Sequence, residues 1–156
     1  MNYQTIVIDD MVNGEGIRCS LFVSGCSHGC EGCFNEKAWD YRSGFEYTTS
    51  TEECILEELQ KDYVSGLSLL GGDPLMPKNI IEVIALCKKV KEQFPNKTIW
   101  CWSGYTLEEI QENHAKDVLQ YLDVLVDGKF DLEKYDSTVQ FRGSSNQRIL
   151  YKGTDF

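Results

Sequence analysis

Apolar residues along the chain fall into short runs, each cut off by glycine, proline or a charged residue. Ile17 to Val23 has the β-branched and aromatic content of a strand, which Ser24-Gly25 ends. Ser50-x-x-Glu53 reads as a capping box opening a helix to about Asp62, with Ile55, Leu56, Leu59 and Tyr63 as its apolar face. Gly66 to Leu70 is a short apolar strand, consistent with burial on both faces in a parallel sheet, broken sharply by Gly71-Gly72-Asp73-Pro74. A second helix is predicted from about Asn79 to Phe94, with Ile80, Val83, Ile84, Cys87 and Val90 on one side and Pro95 as its stop. Thr98 to Trp102 is the next strand, and Thr106-x-x-Glu109 caps another short helix. Val118 to Leu122 suits one more helical turn, Asp123 to Val126 a strand, and Arg148 to Lys152 a last strand after a polar stretch. Residues 1–16 show little regularity, with Asn13-Gly14-Glu15-Gly16 as a flexible loop. Strands alternating with helices imply an α/β fold with right-handed crossovers and a mostly parallel sheet.

The chain's 156 residues fit a single domain, 1–156, with room for a real core. Its 42% hydrophobic and 26% charged residues are ordinary for a soluble globular protein. Apolar runs such as Ile80 to Cys87 are too short for a membrane span, and Met1-Asn2-Tyr3-Gln4 begins no secretory signal, so a cytoplasmic location is expected. A formal charge of −10 argues against a nucleic-acid partner, which calls for a basic face. It fits steering toward a partner with basic patches, although solubility alone accounts for it equally well.

Seven cysteines make full internal pairing impossible, and a disulfide framework does not suit such a chain. Cys19, Cys54, Cys87 and Cys101 are scattered and read as small buried hydrophobes. Cys26, Cys30 and Cys33 are different. They stand in a C-x3-C-x2-C spacing directly after the strand ending at Val23, where α/β folds build their sites. A four-iron cluster has four corners, normally closed by four cysteines, so three leave one iron open to a ligand from outside the protein. A zinc reading needs a fourth ligand, for which His28 is the candidate. Against it, His28 lies between two of the cysteines and no second C-x2-C half-site follows, so it reads better as a solvent-facing bystander. An electron carrier would need a distant fourth ligand to iron.

The triplet followed by an aromatic residue, Phe34, resembles the signature of radical S-adenosylmethionine (SAM) enzymes. Gly71-Gly72-Asp73-Pro74 resembles that family's Gly-Gly-Glu-Pro motif, with Asp73 where Glu is commoner. Asp127-Gly128-Lys129-Phe130 resembles the Asp-x-Lys segment of the activases of glycyl radical enzymes. Trp102-Ser103-Gly104-Tyr105, the stretch Arg142 to Arg148 and the short chain resemble the branch that serves anaerobic ribonucleotide reductases.

The resemblance implies a shortened, open partial (βα) barrel. It implies a 4Fe-4S cluster on Cys26, Cys30 and Cys33, with SAM on the open iron. SAM would also meet the backbone around Gly32, Cys33 and Phe34, the Gly71, Gly72, Asp73 and Pro74 turn, and Asp127 and Lys129. The implied chemistry is one-electron cleavage of SAM to a 5′-deoxyadenosyl radical, with no side chain acting as general acid or base. The implied partners are an anaerobic ribonucleoside-triphosphate reductase as protein substrate and a flavodoxin-like electron donor. A homodimer within that complex is compatible with the resemblance. An activase of another glycyl radical enzyme, of formate-lyase type, is the alternative, disfavoured by length. A Cys3His zinc adaptor is the rival from outside the family.

Overall fold

A computed structural model describes residues 1–156. Seven strands form one sheet in the order β3-β1-β2-β4-β5-β6-β7. They are β1 (Asn2–Asp10), β2 (Ile17–Val23), β3 (Phe45–Glu46), β4 (Val64–Gly71), β5 (Thr98–Trp102), β6 (Val124–Asp127) and β7 (Arg148–Tyr151). The helices are α1 (Thr49–Leu59), α2 (Ile80–Gln93) and α3 (Leu107–Glu112).

This overturns the expected partial (βα) barrel. The sheet is mixed. β2-β4, β4-β5 and β5-β6 pair in parallel, whereas β1-β2, β1-β3 and β6-β7 pair antiparallel. A (βα) barrel repeats a helical crossover after every strand. Here helices intervene only between β2 and β6, and the outer strands return as antiparallel neighbours. The sheet therefore ends in edges.

The residues expected to be irregular include the longest strand. β1 carries no clean alternation, and Val7 and Ile8 are exposed, so its pattern announces no buried face. Its pairing with β2 slips twice, between Tyr3 and Thr5 and between Val7 and Asp10. The cap of helix α1, Thr48, lies two residues before the predicted one. Thr48 Oγ1 accepts from Thr51 N, and Thr51 Oγ1 accepts from Thr48 N at 3.1 Å, so a second threonine takes the part expected of Glu53. Tyr63 lies beyond that helix and is exposed. The Thr106–Glu109 box does cap α3, with Glu109 Oε2 accepting from Thr106 N at 2.8 Å.

Period-two alternation splits the central strands between two environments. Cys19, Leu21 and Val23 of β2, Leu67 and Leu69 of β4, Ile99 and Cys101 of β5 and Leu125 of β6 form the core with the three helices. Ile55 and Leu59 come from α1, and Val83, Leu86, Cys87 and Val90 from α2. Each fully buried aliphatic side chain there contributes about 1.5–3 kcal/mol. Cys19, Cys87 and Cys101 are buried as expected, but Cys54 is exposed because it sits on the outer side of α1. The intervening residues, Arg18, Ser20, Phe22, Ser68, Leu70, Trp100 and Trp102, belong to the other face. That face is covered by the loop after β1 and the long segment before β7, and it carries the site.

Candidate functional site

The C-terminal ends of β2, β4 and β5 lie side by side and are laced together by main-chain bonds. Gly72 N donates to Val23 O at 2.7 Å and Asp73 N to Gly25 O at 2.9 Å. Asn79, buried at the start of α2, donates to Ser24 O (2.9 Å) and Asp73 O (3.0 Å). The two glycines follow from this packing. A Cβ on Gly71, whose φ is +114°, would come 2.5 Å from Val23 N, and one on Gly72 would come 2.5 Å from Gly25 O. No larger residue lets the turn after β4 lie this close to the cysteine loop.

Beneath these tips is a cavity of about 510 Å³, within the ~300–1,000 Å³ typical of small-ligand sites. Cys26, Cys30, Cys33, Phe34, Gly71, Gly72 and Asp73 all line it. Gly32, Pro74, Asp127 and Lys129 do not. Gly32 and Pro74 adjoin lining residues in the chain. The Asp127 carboxylate is engaged elsewhere: it accepts from Leu107 N at 2.7 Å and pairs with Arg148.

The three thiols suit an anionic cluster. Asn35 N donates to Cys33 Sγ at 3.4 Å, and the backbone N–H groups of His28 and Phe130 act to lower the pKa of Cys26 and Cys30. Such donors favour thiolates, the form that ligates iron. Without metal, burial pushes the Cys26 thiol up to about 11 and raises Cys30 as well. Bound iron would reverse that cost. No three His, Cys, Asp or Glu side chains, the three thiols included, converge on a single ion position.

His28 is not the solvent-facing residue expected. Its side chain is 8% exposed, and its Nε2 lies 2.7 Å from Asp73 Oδ2. Asp73, 1% exposed, also accepts from Leu75 N (2.8 Å), Ser103 Oγ (2.9 and 3.0 Å) and Gly104 N (2.9 Å). A tight strand-to-helix turn does not signal the contacts to His28, Ser103 and Gly104, because those partners come from remote parts of the chain.

The far wall is the segment between β6 and β7, of which sequence reasoning gave a role only to its start, at Asp127 and Lys129. Phe130 packs on Phe34 with ring centroids 4.9 Å apart, and Tyr135 follows at 6.1 Å. The Arg142–Arg148 stretch is organised by Gln147, whose Oε1 accepts from Gly143 N and Ser144 N and whose Nε2 donates to Gly128 O. Phe141, Arg142, Gly143 and Gln147 thereby reach the cavity. Around its mouth, Val12 and Phe34 are 75% and 71% exposed.

Comparison with known proteins places the chain in a family. Residues 12–150 match the family model described as a 4Fe-4S single cluster domain. The chain is 44% identical to the anaerobic ribonucleoside-triphosphate reductase-activating protein of Pasteurella multocida, over the full length of both. It is also 44% identical to the protein of that name from Enterobacteria phage T4, covering 99% of this chain and 96% of the relative. Identity to that of Escherichia coli K12 is 42%, covering 96% and 97%. The chain belongs to the family of anaerobic ribonucleoside-triphosphate reductase-activating proteins. No helix is long and apolar enough to cross a membrane.

Proposed function

We propose that this protein activates an anaerobic ribonucleoside-triphosphate reductase by cleaving SAM at a 4Fe-4S cluster. The observation that carries the reading is one cavity shared by the three cysteines, Phe34 and the Gly71–Asp73 turn. The relatives' names supply the protein substrate. Cys26, Cys30 and Cys33 would hold the cluster and leave its fourth corner facing the cavity. Bound there, the reduced cluster and SAM would supply a 5′-deoxyadenosyl radical able to take a hydrogen atom from a glycine of the reductase.

The chain's own part is to bind, orient and keep water out. Gly32, Cys33 and Phe34 are proposed to face the adenine, and the turn from Gly71 to Pro74 the amino end of SAM. Since the Asp73 carboxylate is already taken by the protein, the backbone of Gly71 and Gly72 is the part of the turn left to meet that amino group. Asp127 and Lys129 are proposed to act from just outside the cavity, at the root of its far wall. The aromatic rings of Phe34 and Phe130 would give the cavity an apolar wall. Because Val12 and Phe34 at its mouth are exposed, a loop of the partner could reach the cavity. An electron donor of flavodoxin type completes the reading.

Anaerobic reconstitution tests it. The protein should bind about four irons, turn brown, bleach on reduction and, with SAM added, form 5′-deoxyadenosine. A colourless protein holding one zinc, or a reduced iron–sulfur protein that leaves SAM intact, contradicts it.

A further inference from the structure

His28 sits in the middle of the cysteine loop, yet its ring hydrogen-bonds to a carboxylate and not to a cysteine. Nε2 reaches Asp73 at 2.7 Å, the ring meets Tyr105 edge-on at a centroid distance of 4.7 Å, and Gly104 lies directly against it. A Cβ on Gly104 would come 2.4 Å from the imidazole, so a residue without a side chain is what lets the ring in. Asp73 is a pure acceptor here, holding Leu75 N, Ser103 Oγ and Gly104 N, so Nε2 is the donating nitrogen. One buried carboxylate thus ties together the cysteine loop after β2, the turn after β4 and the turn after β5.

We propose that His28 is a positioning residue that sets the cysteine loop in register with the Gly71–Asp73 turn. The inference rests on the reading above, in which the loop carries the cluster and the turn receives the amino end of SAM. SAM must then touch both at once, and a chelating ligand tolerates little relative displacement of its two anchors. Main-chain bonds fix the root of the loop, through Gly25. Beyond Gly25, the His28–Asp73 contact ties its middle to the turn, alongside a weaker bond from Ser27 Oγ to Met76 Sδ at 3.4 Å just past the turn. The cysteines alone would still hold the iron, but SAM would meet a loop free to shift.

Two variants separate shape from bonding. His28→Phe keeps a ring against Gly104 and Tyr105 but loses the bond. His28→Gln loses the ring but keeps an N–H able to reach Asp73. Each is reconstituted anaerobically and analysed for iron. Each is then reduced with dithionite and titrated with SAM, and the change in the cluster's electron paramagnetic resonance signal is followed in samples frozen at once. His28→Phe is expected to keep its full iron content while the SAM concentration needed for half the change rises roughly tenfold, the size of one lost charge-assisted bond. His28→Gln is expected to stay within about threefold of the unaltered protein. A His28→Phe protein that responds to SAM as the unaltered one does overturns the proposal. So does one that loses iron, because His28 would then serve the cluster itself. An unaltered protein whose reduced cluster ignores SAM overturns the proposed function, and the positioning role with it.

Discussion

Arg148 closes a forked ion pair on Asp127, with Nε donating to Oδ1 at 2.9 Å and Nη2 donating to Oδ2. Asp127 is 1% exposed and also holds Leu107 N, so this pair joins β6, β7 and the start of α3. The guanidinium reaches on to Glu108 as well. The far wall of the cavity hangs between the two strands that the pair clamps.

Removing the guanidinium leaves a buried carboxylate short of a partner. Arg148→Ala is expected to destabilise the fold by about 2 kcal/mol, below the ~3–5 of a fully buried broken pair because the arginine is itself 44% exposed. Lysine should restore only part of this, since it cannot fork across both oxygens. Urea midpoints at pH 7 measure the loss, and an unchanged Arg148→Ala midpoint would show that the clamp is idle.

The same guanidinium sets a pH dependence. Hydrogen bonding to Arg148, the largest cause, holds the Glu108 carboxyl down at about 2, against an ordinary 4.5. A depressed carboxylate adds stability that is present above its unfolded value and lost as pH falls toward the folded one. Glu108→Gln should therefore flatten the fall in stability below pH 4.5 by lowering neutral stability by the same amount, a small one for an exposed ion pair, while stability near pH 3 changes less. Denaturant unfolding at neutral pH and at about pH 3 would check it, and parallel acid slopes for the two proteins would refute it.

Arg18 stands almost wholly buried under Trp100, its guanidinium 5.7 Å from the ring centroid. Nε donates to Ser68 Oγ (2.7 Å), Nη1 to Glu15 O and Thr98 Oγ1, and Nη2 to Leu67 O and Thr98 O. All five donors are used, and burial lowers its pKa only to about 10, so it stays charged at neutral pH. Lysine can supply neither the number nor the plane of these bonds. Arg18→Lys is expected to cost about 3 kcal/mol and to open the 11–16 loop, which Arg18 holds at Glu15, to proteases. Limited proteolysis with mass spectrometry reads the site, and a protected loop would argue against this tether.

The sequence made the central elements legible where one signal dominated. The strands Ile17–Val23 and Thr98–Trp102 are bounded as their β-branched and aromatic runs and terminal glycines suggested. The cysteine spacing and the Gly71-Gly72 break were visible because their chemistry is local. The mixed sheet was not visible. Strand direction is set by connections, and β1 and the two-residue β3 lack the alternation that a buried face imprints. The His28–Asp73 contact spans 45 positions, so a reading confined to the loop makes His28 a bystander. Asp127 shows the converse: a motif-like residue whose nearest partners are Arg148 and Leu107 N.

Thiol chemistry separates the two groups of cysteines. Burial pushes Cys19 and Cys87 up to about 12 and raises Cys101 well above its ordinary value, so these three should resist alkylation at about pH 8 until the protein unfolds. In cluster-free protein, exposed Cys54 should label, followed by Cys26, Cys30 and Cys33. Loading with iron should protect the last three and leave Cys54 reactive. Peptide mapping distinguishes the patterns, and labelling of Cys26, Cys30 or Cys33 at full iron content would exclude that residue as a ligand.

The central claim concerns what the site does to its partner. The reconstituted protein, reduced and given SAM, should be mixed anaerobically with the anaerobic ribonucleoside-triphosphate reductase from the same source and followed by electron paramagnetic resonance. The expected result is a glycyl radical signal on the reductase that requires SAM and disappears with Cys26→Ala, Cys30→Ala or Cys33→Ala. A reductase that stays radical-free while the unaltered protein cleaves SAM, or a signal that survives loss of those cysteines, would contradict the assignment.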